Sequence, residues 1–472
     1  GIGAVVAGAT WMLQPTAARA ARPDAAVLGA AAGHYDWAKV AQGLLQRQAA
    51  MGNGGAATTQ VSAPPTAEAA APIVIGRGYR RTGSDGKAAG PGLKPLWTFA
   101  PDDTLFISTP AVVGKRIYAG GCVAELGSYS GVFYCLDADT GKPLWTVDEY
   151  KGPDGRTTTL HPVFSSPAVT ADGKWVIVGQ GLHEDKNCSL LCFNAQTGAL
   201  KWAVQTPLHI ESSPAIAGDV VVVGAGAIEG RDGKATGDPG QVVAVRISDG
   251  KELWRVRVID PESAAAMDEA GNVYIGSAFN GSAVVALAAK DGKELWKTET
   301  GLPVTSPVTI AGDLLIVGSG NSTMVDSNAN AKGEVLALEM KTGKILWRRP
   351  FADSVLGGIP AGDKAVYCPI RTGEVAALSL DKGELLWQTR VNGKAAVAAG
   401  CALAGNRLYA VTSDGYLAVL DADSGKVLEK VFLNTQANPG TGLTIGDPQV
   451  VGGRVIVGSE TGGLHVLVGA GQ

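Results

Sequence analysis

The residues able to do chemistry are few and scattered. Five histidines occur: His34, His161, His183, His209 and His465. None stands in a HExxH pattern, and no pair has a two-ligand spacing. His183-Glu184-Asp185 is a compact polar run that could meet a cation, but a solvated loop accounts for it more simply. The six cysteines, Cys122, Cys135, Cys188, Cys192, Cys368 and Cys401, form no CxxC or CxxCH arrangement. Zinc, thioredoxin-like and c-haem chemistry are therefore unsupported. Cys188 and Cys192 sit four apart on one strand, roughly 13 Å, which is beyond disulfide reach. Cys122 and Cys135 flank a loop and either bridge across a hairpin or stay as buried thiols. Gly224-Ala225-Gly226 and Gly318-Ser319-Gly320 end strands and open onto no helix, so they make no phosphate cradle. No GxSxG occurs.

The elements that must position these residues are legible in the bulk composition. The chain has 472 residues, 46% hydrophobic and only 18% charged, enough for a large core. It carries 65 glycines, about twice ordinary usage, without a collagen period. Many tight turns imply many short strands. Net charge is −4, and no basic run tracks a phosphate backbone, which argues against nucleic acid as a partner.

The first residues stand apart. Residues 1–20 contain an apolar run, Ile2 to Leu13, then small residues, in the manner of a signal peptide end or an anchor remnant. Residues 21–75 form an Ala/Pro-rich extension. Within it Asp36 is a plausible helix cap, and Trp37, Val40, Ala41, Leu44 and Leu45 share one helical stripe. Residues 51–72 have linker composition.

Residues 76–472 are organised by a repeat. Tryptophans recur at Trp97, Trp145, Trp202, Trp254, Trp296, Trp347 and Trp387, mostly after leucine, at intervals of 40 to 57 residues. A degenerate copy follows at Val427-Leu428-Glu429. A Gly-containing turn precedes every copy but the first, as at Thr140-Gly141 and Asp291-Gly292. Ahead of each turn lie two apolar strands and, earlier, a lead-in such as Ser166-Pro167, Ser213-Pro214 or Ser306-Pro307. Each unit is thus four strands, A to D, with the Trp on D. Strands A to C occur eight times, but the eighth set ends the chain without a D strand. The unused D strand, around Leu96-Trp97, precedes the first A strand. The expected fold is all-β: an eight-bladed propeller closed by its N-terminal strand, which leaves no exposed sheet edge.

Leu136-Asp137-Ala138-Asp139-Thr140-Gly141-Lys142-Pro143-Leu144-Trp145, with its later copies, resembles the PQQ-like propeller repeat family across residues 94–468. That family includes quinoprotein alcohol dehydrogenases and non-catalytic envelope proteins such as the propeller lipoprotein of the outer-membrane protein assembly machinery. Resemblance to the dehydrogenases implies a Cys-Cys disulfide over PQQ and an Asp beside Ca²⁺. No Cys-Cys dipeptide occurs here. Asp326-Ser327-Asn328-Ala329-Asn330, with Glu334, matches a calcium loop only at its first ligands. No catalytic residue, PQQ, Ca²⁺ or other cofactor is therefore expected. For the lipoprotein comparison, no cysteine precedes Cys122 to carry a lipid.

Loop lengths locate the binding face. The B–C loops of blades 4, 6, 7 and 8 are short, while those near 120–131, 180–188, 225–240 and 319–333 are long. The D–A connection 148–163 is also long and emerges on the same face. Repeat proteins bind through the face that carries insertions. Tyr129, Tyr150, His161, His183, Glu184, Asp185 and His209 are the expected partner-binding residues. The reading is a periplasmic or envelope scaffold for protein partners, with membrane contact through the N-terminal apolar segment. The alternatives are a PQQ/Ca-dependent oxidoreductase or a carbohydrate or small-ligand binding propeller.

Overall fold

In a computed structural model, the description covers residues 83–470 apart from 102, 126–127, 153, 184, 228–236, 325–326, 434–445 and 460–461. The readings made for residues 1–20 and for the helix within 21–75 lie outside these residues.

The chain folds as an eight-bladed β-propeller. Blade 1 is formed by Ala111–Val113, Arg116–Glu125, Ser128–Asp137 and Pro143–Val147, paired antiparallel. Six further blades follow in chain order. In blade 6 the A strand shrinks to a single bridge, Ala361 to Val366. Blade 8 comprises Gln449–Val451, Arg454–Ser459 and Gly463–Val468, and its outer strand is Lys94–Phe99. Trp97 pairs with Val466 and Phe99 with Leu464, so the N-terminal strand closes the ring as expected.

The strand sequences follow from their position. Strands B and C are covered on both faces by neighbouring blades, so they read as unbroken apolar runs such as Val221–Val223 and Val242–Val245, all buried. The D strands lie outermost and alternate exposed with half-buried residues, as in Glu294–Glu299.

Two sets of contacts fasten blade to blade. Each D-strand indole nitrogen donates to a carbonyl at the C–D turn of the next blade: Trp97 to Ala138, Trp145 to Ala195, Trp202 to Ile247, Trp254 to Ala289, Trp296 to Met340, Trp347 to Leu380 and Trp387 to Ala422, at 2.8–3.2 Å. The turn glycine must leave room for that ring. A Cβ on Gly343, at φ +72°, would lie 2.4 Å from Trp296. The lead-in residues of strand A form the inner set: the Ser166 N–H donates to Ser213 Oγ, the Thr109 N–H to Ser166 Oγ, and Ser212 Oγ to the Ser263 carbonyl.

The seam departs from this rule. Between strands C and D of blade 8 the chain is not continuous, so no turn awaits an indole from blade 7. The degenerate copy puts Glu429 there. Its carboxylate accepts the Gly92 and Leu93 N–H groups at 3.0 and 2.6 Å, just ahead of the closing strand. Residues upstream run along blades 7 and 8: Ser84 bridges parallel to Val450, and Arg407 donates to the Ala89 carbonyl at 2.7 Å.

One expectation about the strands needs correction. The blade 1 segment 120–131 is not a long loop, because its strands run to Glu125 and resume at Ser128. Gly120 and Gly131 lie within these strands and admit the D–A connection: added Cβ atoms would lie 2.3 Å from Val163 and 1.8 Å from the His161 carbonyl oxygen. Of the two readings for Cys122 and Cys135, buried thiols hold. Cys122 faces Gly131 and Cys135 faces Tyr118, so the extended pairing separates them. All six cysteines are buried free thiols.

Candidate functional site

The face carrying the B–C loops and D–A connections bears the polar residues of interest. On the blade 1–2 connection, Glu149–Lys151 and Thr157–Thr159 form a small hairpin. Tyr150 within it is not a surface residue as expected. It is buried, its hydroxyl donates to Ser189 Oγ at 3.1 Å, and it accepts from Gln180 Nε2 at 3.0 Å. Gln180 Oε1 in turn accepts the His161 N–H at 3.0 Å, so Tyr150 and Gln180 anchor the connection to blade 2. Tyr129 is half-buried against Leu105, Ile107 and Cys122.

His161 Nδ1 lies 3.3 Å from Asp185 Oδ1, joining this connection to the B–C loop of blade 2. The other Asp185 oxygen accepts the Leu182 N–H at 2.9 Å, which fixes the loop. Glu184 lies outside the described residues.

His183, on the same loop, reaches sideways to blade 3. Its Nδ1 lies 3.1 Å from Glu262 Oε1 and its Nε2 3.6 Å from Glu211 Oε1. His209 Nε2 shares the same Glu262 oxygen at 3.1 Å. The two imidazoles stand edge to face with centroids 5.2 Å apart. His209 is wholly buried. Burial by itself would raise the Glu262 carboxyl; the charge and hydrogen bonds of His183 and His209 outweigh it and hold the group well below the usual carboxylate range. Glycines make this convergence possible. A Cβ on Gly226 would come 2.5 Å from His209 Nε2 and 2.7 Å from Glu262 Oε1.

The expected residues His161, His183, Asp185 and His209 thus gather in one region, whereas Glu211 and Glu262 were missed. Their signal lies in the repeat. An added Cβ on Gly120, Gly179, Gly224 or Gly276 meets Val163, Ile210, Pro261 or Val304 in turn, which aligns the connections. The residue after each is Phe164, Glu211, Glu262 and Thr305. Carboxylates therefore enter one repeat position on two consecutive blades. The other polar candidate behaves differently: Glu334 pairs with Arg348 on its own sheet at 2.9 Å, Ser327 Oγ donates to Asp353 at 2.5 Å, and Asp326 lies outside the described residues.

The family described as outer membrane protein assembly factor BamB matches residues 94–274, 239–330 and 331–472. An outer membrane protein assembly factor BamB from Burkholderia pseudomallei is 30% identical over 341 residues, 65% of this chain and 82% of its own. Quinohemoprotein alcohol dehydrogenase ADH-IIG from Pseudomonas putida is 24% identical over 269 residues, 53% of this chain and 33% of its own. Among solved structures, BamB from Moraxella catarrhalis superposes with a TM-score of 0.59 at 16% identity, covering 80% of this chain and 99% of its own. Quinohemoprotein alcohol dehydrogenase from Comamonas testosteroni gives 0.57 at 15% identity, covering 84% and 81%. These structural likenesses speak for the fold, whereas the family match runs through every blade. The chain belongs to the outer membrane protein assembly factor BamB family.

Proposed function

We propose that this propeller is a non-catalytic scaffold of the cell envelope that docks protein partners on the face carrying its long loops over blades 1–3. The relatives that support this are named as assembly factors for outer-membrane proteins. The observation that carries the choice of face is local. Only on the blade 1–2 connection do the described residues add a hairpin beyond the blades, and a buried network through Tyr150, Gln180 and Ser189 holds it in place. A rigid, protruding, polar element binds with little loss of conformational entropy. The N-terminal apolar segment supplies membrane contact in this reading.

No PQQ or Ca²⁺ belongs to the proposal. The chain lacks a Cys-Cys dipeptide, and Glu334 of the calcium-like stretch is committed to Arg348. A photo-crosslinking residue at Thr158 on the hairpin should give a discrete protein adduct in envelopes of the native host, while one at Asp313 on the opposite face should not. Equal adducts, or none at Thr158, would count against this face. A stoichiometric bound-quinone spectrum after adding PQQ with Ca²⁺ would overturn the non-catalytic reading.

A further inference from the structure

The cluster over blades 2 and 3 has more structure than a docking surface needs. One atom each from His183, His209 and Glu211 lie within 4.8 Å of one another. The three come from two separate segments, the blade 2 B–C loop and the blade 2–3 connection. Two imidazoles and a carboxylate form a donor set that suits Zn²⁺ and its first-row neighbours. Ca²⁺ and Mg²⁺ prefer all-oxygen sets.

The surroundings match what such a site requires. Metal-bound histidines usually give their second nitrogen to a carboxylate, which fixes tautomer and ring orientation. Glu262 does this for both rings, contacting His183 Nδ1 and His209 Nε2 through one oxygen at 3.1 Å. Of the remaining nitrogens, His183 Nε2 faces Glu211. His209 Nδ1 is buried with no hydrogen-bond partner, although the residue is wholly enclosed. With Nε2 donating to Glu262, Nδ1 carries a lone pair, and leaving it unsatisfied inside a protein is costly. A cation held there would take up that lone pair. His183 and Glu211 remain partly exposed, at 22% and 19% of their side chains, so an ion has a way in and a coordination position open to the face.

We infer that His183, His209 and Glu211 bind one divalent transition-metal ion, with Glu262 orienting both imidazoles from behind. This reading stands apart from partner docking and does not rest on it.

Zn²⁺ titration of the chelator-stripped full chain by calorimetry tests the inference, alongside His183→Gln, Glu211→Gln and Glu262→Gln. His34, His161 and His465 are common to all four proteins, so differences isolate this cluster. The wild type should show a Zn²⁺ site that equimolar Mg²⁺ or Ca²⁺ does not displace. His183→Gln and Glu211→Gln should weaken it by about 100-fold or more, and Glu262→Gln by about 10–100-fold. The first two changes are at partly exposed positions, and an unchanged circular dichroism spectrum verifies their fold. Zn²⁺ should also raise the melting temperature of the wild type and leave that of His183→Gln unmoved. Indistinguishable isotherms for the wild type, His183→Gln and Glu211→Gln would overturn the inference, as would a melting temperature that Zn²⁺ raises equally in wild type and His183→Gln.

Discussion

A single methyl group distinguishes the two jobs that glycine does here. Gly343 and Gly312 both have positive φ, +72° and +64°, but Trp296 fills the space at the first and nothing lies within 4 Å at the second. Gly312→Ala should cost about 1 kcal/mol from backbone strain alone. Gly343→Ala adds a clash with a packed ring and should cost about 3 kcal/mol. Urea denaturation of the two variants measures the difference. His465 offers a second residue-scale consequence. Burial beside the closing strand pushes its imidazole down to about 4. An unfolded chain binds that proton near pH 6.5. The native state therefore loses stability as pH falls from 6.5 towards 4, by about 3 kcal/mol in all, and keeps it in full above that window. Chemical denaturation at pH 7 and pH 5 should show the loss in the wild type and a smaller one in His465→Gln. The thiols should be silent. Burial raises every one of them, Cys135 to about 11 and Cys192 to about 12, so native protein should resist iodoacetamide at neutral pH while all six cysteines label in denaturant.

Among the elements, the blades were legible because local rules write them. Strand period, turn glycine and the D-strand tryptophan recur within reach of one another in sequence. Trp145 and Gly198 announce a strand and a turn; that they also touch each other across two blades is invisible without the ring. The candidate site was legible in half. His183 and His209 stand out by residue type, but Glu262 lies 79 residues from His183, in a connection that looks like spacer. Only the ring's curvature brings the two together. Tyr150 misled for the same reason: a tyrosine in a long connection suggests a contact residue, whereas here the connection folds back and buries it. Glu429 is the most informative departure. Glu429→Ala removes the acceptor for two N–H groups and should cost about 1–3 kcal/mol, with faster hydrogen exchange at Gly92 and Leu93. Glu429→Trp restores the repeat residue yet should not rescue stability, since no turn follows to receive the indole.

At the scale of the whole molecule, the ring joins its ends without a covalent bond. Deleting Lys94–Phe99 would strip the outer strand from blade 8, expose the Gly463–Val468 edge and loosen its junction with blade 1. The shortened protein should aggregate or melt well below the full chain, in a scanning calorimetry comparison.

That seam also sets a clock. The Thr98 hydroxyl and the His465 ring that meet across it are 367 residues apart in the chain. The ribosome makes the first partner long before the second. Closing so long a loop adds little to the equilibrium cost, because that cost grows only with the logarithm of length. The burden falls on timing. Until the second is made the first strand stays without its mate, a sticky edge, and whatever shields it in that interval decides how much protein reaches the closed ring.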